Sequence, residues 1–422
     1  MFSKFDNLTP AQQVLWQAAF GGVLPQIEAS EWQSVPYLAV LHGTAPLVAE
    51  ALKRDSGSSA PAEIADSLLR MRNANERRNT VIYRECGRLL RALSDAGIPA
   101  LVLKGPALAL TIYRSTASRS FNDFDILVRP EDRNRAIELA IESGFTPEGP
   151  DEPHRLDRSL LLDCGEDILS GTLPLEIDSR IPRDKVAAAA RIVRVEIHHG
   201  LFRYADGSAR ETAMQPIWDC PVSLALPTGT PACTLSHEMM VVHLADHAAG
   251  HGFSRLQFFA DMACLAAATR ESFDWDRFVA LCAAFQVEIA AYLCLRFLAE
   301  FCNVPISASV LAKLVPGRTR RVRIGRLSPA TVLSGDYSAG RSHVLTRLRL
   351  SESPVQLVRG LFGAVFPPVS TMRRLYAVEH PVLIAACYAI RPVMIAGRLL
   401  FSGRHMAFMN RYRPGSLPSG VR

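Results

Sequence analysis

Through its first 96 residues the chain reads with a helical period, and at Gly97-Ile98-Pro99 that period breaks. Apolar residues three and four apart run along Val35–Arg54 and again along Ala62–Ala96, where Leu68, Met71, Val81, Ile82, Leu89, Leu90 and Leu93 keep the spacing, with the loop Asp55-Ser-Gly-Ser-Ser between them. After Pro99 comes Ala100–Leu103, a four-residue apolar run that enters the turn Lys104-Gly105-Pro106. It is too short for a helix and reads as a buried strand. A short helix Ala107–Arg114, a strand Phe124–Val128 stopped by Arg129-Pro130, and a helix Glu131–Ser143 closed by Gly144 follow in order. Ile192–Leu201 then alternates Val193, Val195 and Ile197 against Arg194, Glu196 and His198, which predicts a third clear strand. Between Thr146 and Lys185, strands are expected at Ser159–Leu162 and Leu173–Ile177, and after Pro227 the pattern reads as helical almost to the end.

These elements predict an α+β fold, a small mixed-sheet core flanked by helices. The expected divisions are an N-terminal helical region 1–96, the core 97–205, a helical domain 206–315 and a basic helical region 316–422. With 49% hydrophobic and 21% charged residues the chain is too apolar to be disordered. Nine scattered cysteines without a Cys-x-x-Cys pair argue against a disulfide framework and a zinc knuckle. Met1-Phe-Ser-Lys-Phe-Asp is not the start of a secretory signal, so a cytoplasmic location is expected.

Charge is unevenly spread. From Lys313 to Arg422 there are 18 Lys+Arg against 3 Asp+Glu, whereas the rest of the chain is net acidic. Arginines spread singly along helices are ordinarily a solvated face, but a balance this one-sided also suits an anionic partner. Pro381–Phe401 has the length of a membrane span, yet Arg391 and Pro392 near its centre disfavour one. A peripheral membrane contact is the remaining expectation there. Nucleic acid is not expected as a partner, because the basic charge lacks interleaved aromatics.

The chemistry-bearing string is Leu103-Lys-Gly-Pro-Ala-Leu followed by Asn122-Asp-Phe-Asp-Ile-Leu-Val128. Asp123 and Asp125 stand two apart on a strand, so both carboxylates share a face and repel unless a hard divalent cation such as Mg²⁺ neutralises them. Gly105 allows a phosphate to approach the backbone, Pro106 suits the first position of a helix whose free N–H groups face an anion, and Lys104 adds positive charge. A third carboxylate on a neighbouring strand completes the pattern for phosphoryl or nucleotidyl transfer. Glu196 is preferred, with Glu176 and Asp178 as competitors; His198 shares the face of Glu196 and either tunes it or meets phosphate.

Ala92–Phe145, with Gly97-Ile, Leu103-Lys-Gly-x-Ala-Leu, Tyr113, Arg119, Asp123-x-Asp-Ile-Leu-Val and Gly144-Phe, resembles the nucleotidyltransferases of the DNA polymerase β superfamily. It is most similar to a bacterial branch identified only as nucleotidyltransferase family proteins. The similarity continues through Val195-Glu-Ile-His198, His243-x-x-x-His247, Arg255-Leu, Asp261, Asp274-Trp-Asp, Arg373-x-x-Tyr376 and Arg391. The resemblance implies that Gly105 is the glycine turn, that Asp123, Asp125 and Glu196 are the acidic set, and that the activity is Mg²⁺-dependent transfer of a nucleoside monophosphate from an NTP. Asp123, Asp125 and Glu196 would be both catalytic and metal-binding, and Lys104, Gly105, Arg119 and His198 nucleotide-binding. The expected acceptor is a sugar, a small molecule or a peptide. The alternative is a non-catalytic nucleotide-binding adaptor of a biosynthetic or membrane-associated assembly.

His243, His247 and His251 stand at zinc-like spacing, but Glu238 does not complete a His-Glu-x-x-His motif and Gly250 and Gly252 interrupt the helix. One or two of them are expected to face the cleft beside the nucleotide or to be hydrogen-bonded core groups.

Overall fold

The structure, a computed structural model, describes residues 7–55, 57–147, 155–159, 192–202, 215–317, 327–334, 350, 354–367, 369–376 and 378–409. The expected α+β architecture is the one found. Among the described residues seven strands form a single mixed sheet: β1 (Ala100–Val102), β2 (Asp123–Val128), β3 (Thr146–Pro147), β4 (Arg155–Ser159), β5 (Ile192–His198), β6 (Val222–Ala225) and β7 (Pro231–Thr234). Their spatial order is β3-β4-β5-β2-β1-β7-β6. β2 lies between β1, which runs antiparallel to it, and β5, which runs parallel, so the acidic strand is central and not at an edge.

The helix Ala62–Asp95 is expected from its period, and its buried stripe includes Ile64, Leu68, Met71, Ile82, Leu89 and Leu93. Its C-terminal turn is closed by Gly97 at φ +71°, with the Ile98 N–H reaching the Leu93 carbonyl at 2.9 Å. The sequence pattern hides a second set of buried residues on that helix. Asn75 donates to the Ala117 carbonyl at 2.9 Å, Asn79 to Thr116 and Arg119 at 2.7 and 3.0 Å, and Arg78 to the carbonyls of Phe121 and Asn122. Loop carbonyls buried without partners would be costly, so these side chains fix the loop that delivers β2.

Three local expectations need correction. Val35–Arg54 is two helices, Val35–Leu41 and Ala45–Arg54. The break falls at Gly43, where φ is +72° and a Cβ would lie 2.3 Å from the Gln257 side chain. The period survives because both pieces face one core. Pro106 is the third residue of the helix Lys104–Thr111 and not its first, so the helix start keeps the N–H of Gly105 and loses that of residue 106. The chain after Pro227 first makes β7, whose four residues are too few to display a period of two; pairing Leu101↔Cys233 and Val102↔Thr234 makes it a strand, and the Thr234 hydroxyl donates to the Val102 carbonyl at 2.6 Å. The expected strand Leu173–Ile177, with Glu176 and Asp178, lies outside the described residues, as do Leu160–Leu162.

Two compact units divide the chain: Met1–Arg203 with Ala209–Glu352, and Tyr204–Ser208 with Ser353–Arg422. In the first, one buried apolar cluster extends from Leu8 to Leu333. Trp16 of the helix Pro10–Phe20 and Phe259 of Leu256–Ala268 both pack on Phe297, at ring centroid distances of 5.8 and 4.2 Å. The second unit contains the helices Pro354–Val365, Val369–Tyr376 and Pro381–Met409. No helix among the described residues is long and apolar enough to cross a membrane.

Candidate active site

Register decides which acids meet. In the parallel pair β2·β5, Asp125 stands opposite Glu196 and Leu127 opposite His198, with Val193, Val195 and Ile197 buried on the other face. Ligand atoms of Asp125, Glu196 and His198 consequently all lie within 4.8 Å of one another. His198 Nε2 donates to Asp125 Oδ1 at 2.7 Å and lies 3.7 Å from Glu196 Oε2. From the other side of β2, Lys104 Nζ donates to the same Oδ1 at 2.9 Å. The turn after β1 thus reaches the acidic strand through an ion pair.

Asp125 is 1% exposed. Burial alone would push its carboxyl up, but the Lys104 ammonium and the His198 hydrogen bond outweigh that and hold it well below the usual carboxylate range. Burial, and then the charge of Asp125, push Asp123 up to about 6. Burial also works against the charge on Lys104, but Asp125, then Asp123 and Glu196, hold its ammonium above its ordinary value. Lys104 itself is at φ +49°, a left-handed conformation that costs a non-glycine residue about 1 kcal/mol. Such strain persists where contacts on both sides determine the backbone.

A divalent cation suits this donor set. Three carboxyl groups face one ammonium, and Asp125 Oδ2 is buried without a hydrogen-bond partner among the described residues. A carboxylate oxygen left in that state is costly unless a cation takes its lone pairs. The group of three contains His198 where the sequence pointed to Asp123; Asp123 occupies the same strand face two residues earlier and is coupled to it electrostatically.

The other expected site residues are placed as follows. Arg119 grips Asp261 with two parallel bonds, Nε to Oδ1 at 2.8 Å and Nη2 to Oδ2 at 2.7 Å. Tyr113 donates to the same Oδ1 at 2.7 Å, so three positions separated by up to 148 residues form one buried group. Gly105 has a packing reason: a Cβ there would fall 2.8 Å from Phe121 Cβ. Glu238 accepts the N–H of Asp274 at 3.1 Å, tying together the starts of two helices.

His243 is buried as a core group but departs from the expected hydrogen-bonded one. It lies on the helix His237–Gly250 that follows β7, buried, edge-on to Phe202 at 6.2 Å, and neither ring nitrogen has a hydrogen-bond partner among the described residues. Burial, and then the positive charge of Lys104, push its imidazole down to about 3, while Asp125 pulls the other way. Those influences place it in the electrostatic reach of the acid cluster. The zinc-like spacing was the available signal. His247 and His251 continue outward from it, at ring separations of 6.3 and 4.5 Å, without forming a metal cluster.

A family profile described as uncharacterised nucleotidyltransferase matches residues 28–303, which hold the acidic strands, the turn and the histidine helix. Comparison with curated proteins and with solved structures returned no match.

Proposed function

This chain belongs to the uncharacterised nucleotidyltransferase family, and from that premise we propose that it moves a nucleoside monophosphate from an NTP to an acceptor and releases pyrophosphate. The observation that carries the reading is the meeting of Asp125, Glu196 and His198 across one strand pair beside Lys104. Asp125 and Glu196, with Asp123 at the rim, would hold the divalent cation, proposed as Mg²⁺. When bound, the cation supplies charge neutralisation for the transferring phosphoryl group.

The protein's own groups do the positioning. Lys104 offers its remaining N–H bonds to phosphate oxygens from the turn. His198 keeps the Asp125 carboxylate in one orientation, leaving Oδ2 for the cation. Glu196 would serve as the third ligand or as the base that takes the acceptor's proton. Arg119, locked on Asp261, braces the loop before β2. The acceptor class proposed is a sugar, a small molecule or a peptide.

The test is pyrophosphate release with each of the four NTPs against fractionated cell extract, in Mg²⁺ and in Mn²⁺, comparing the wild type with Asp125→Asn. Release with one NTP, lost in the variant, supports transfer. The helix start shortened of one N–H by Pro106 favours a second reading, a nucleotide-binding adaptor. Metal-dependent thermal stabilisation by NTP with no pyrophosphate from any fraction would select it.

A further inference from the structure

The helices of the second unit carry their apolar side chains on the outside. Of fourteen large apolar side chains exposed among the described residues, ten fall between Val355 and Val393. Among the described residues of this unit, the large apolar side chains that are buried are Met372 and Ile384. An exposed patch of this kind marks a surface that water does not cover in use.

The exposed residues follow helical spacing. On Pro354–Val365, Val355, Val358 and Phe362 stand three and four apart, at 74%, 66% and 64% exposure, and Phe366 continues the line with its ring 5.1 Å from Phe362. On Pro381–Met409, Val382, Ile390 and Val393 stand eight and three apart. The second helix is held against its neighbours from its other side: Tyr388 donates to the Pro367 carbonyl, and Arg391 donates to the Tyr376 hydroxyl at 3.1 Å. The stripe on Pro381–Met409 is therefore left facing outward by a helix that is otherwise engaged.

Charge selects the occupant. Residues 354–409 contain six arginines and one acid, within the stretch from Lys313 to Arg422 that has 18 basic and 3 acidic residues. A second copy would set this charge against itself, which opposes self-association. Insertion across a bilayer is opposed by Arg391 and by Pro392 inside the helix. We propose that the helices Pro354–Val365 and Pro381–Met409 form an interfacial docking surface for an anionic lipid bilayer, with the apolar stripes entering the acyl boundary and the net positive charge of this stretch drawing it to lipid phosphates.

Flotation of the full chain tests this with vesicles of phosphatidylcholine alone and of an equimolar mixture of phosphatidylcholine and phosphatidylglycerol. The wild type is expected to float with the anionic vesicles, less so at high salt, and to remain in solution with the neutral ones. The double variant Val358→Glu/Phe362→Glu is expected to lose about tenfold or more of that binding, because two apolar side chains no longer leave water. Circular dichroism and sedimentation velocity of both proteins accompany the assay. Failure to float with either vesicle overturns the proposal, as does equal binding to both. A wild-type dimer that the double variant dissolves overturns it in favour of a second copy.

Discussion

The two units invert each other. Around β2 the first unit buries charge inside an apolar body, with Asp125 at 1% and Asp261 at 0% exposure, and satisfies it with Lys104, His198, Arg119 and Tyr113. Among its described residues, the second unit exposes ten large apolar side chains and buries Met372 and Ile384. Ordinary packing explains neither arrangement, because a protein that only had to fold would avoid both costs. The buried acids could hold a metal ion, and the exposed stripes are the surface proposed above to meet a bilayer. Substitutions that separate stability from function will break this contrast or sharpen it.

The largest effect is expected at Asp261→Asn. It leaves the Arg119 guanidinium buried without its counter-charge and should destabilise the fold by about 3–5 kcal/mol in chemical denaturation. A loss under about 1 kcal/mol would mean that the pair is not structural. Asp125→Asn should lower pyrophosphate release by about 10²–10³-fold, the usual cost of deleting a preorganised electrostatic group, while circular dichroism remains that of the wild type. Retained release would detach the acid cluster from the reaction. Gly105→Ala should cost about 1–3 kcal/mol, because the new Cβ meets Phe121 Cβ and that atom moves only with its backbone.

A smaller effect belongs to pH. His243 is held near 3 in the folded chain against about 6.5 when unfolded, so between those values the unfolded state binds the extra proton. Its contribution to stability is present above about pH 6.5 and is lost as pH falls toward 3, at up to about 1.4 kcal/mol per pH unit. His243→Phe should flatten that segment of the stability profile, measured as denaturation midpoints from pH 7 to pH 4. An unchanged slope would place the acid sensitivity in other groups, with His42, pushed down to about 4 by burial and then by Arg255, the first candidate. The smallest effect is expected in the second unit: Phe362→Glu should alter global stability by less than about 0.5 kcal/mol, as for an exposed site with no packing role.

Legibility from sequence followed the length of the pattern. Ala62–Asp95 and Ile192–His198 were readable because each repeats its period, and the strand carrying Asp125 because its apolar run is stopped by Arg129-Pro130. β7 was not readable, because Pro-Ala-Cys-Thr shows neither a period nor an apolar run and its partners in β1 lie 132 residues earlier in the chain. The candidate acids were named by spacing and by resemblance, and Glu196 was preferred to Glu176 for the clarity of its strand. The roles of Asn75, Arg78 and Asn79 had no sequence signal. Buried polar residues on a helix are recognisable only when the carbonyls they satisfy are in place. His243 had a signal, but one shared with zinc sites and with ordinary core histidines.

The amino-acid order alone determined the α+β class, the shared face of Asp123 and Asp125, and the one-sided charge of the C-terminal stretch, because these depend on periods and counts within short windows. Tertiary structure decided that Asp125 pairs with Glu196, that Arg119 closes on Asp261, and that Val355, Val358 and Phe362 face outward. Register and burial belong to pairs of segments brought together by the chain's path, and no window of one segment contains the other.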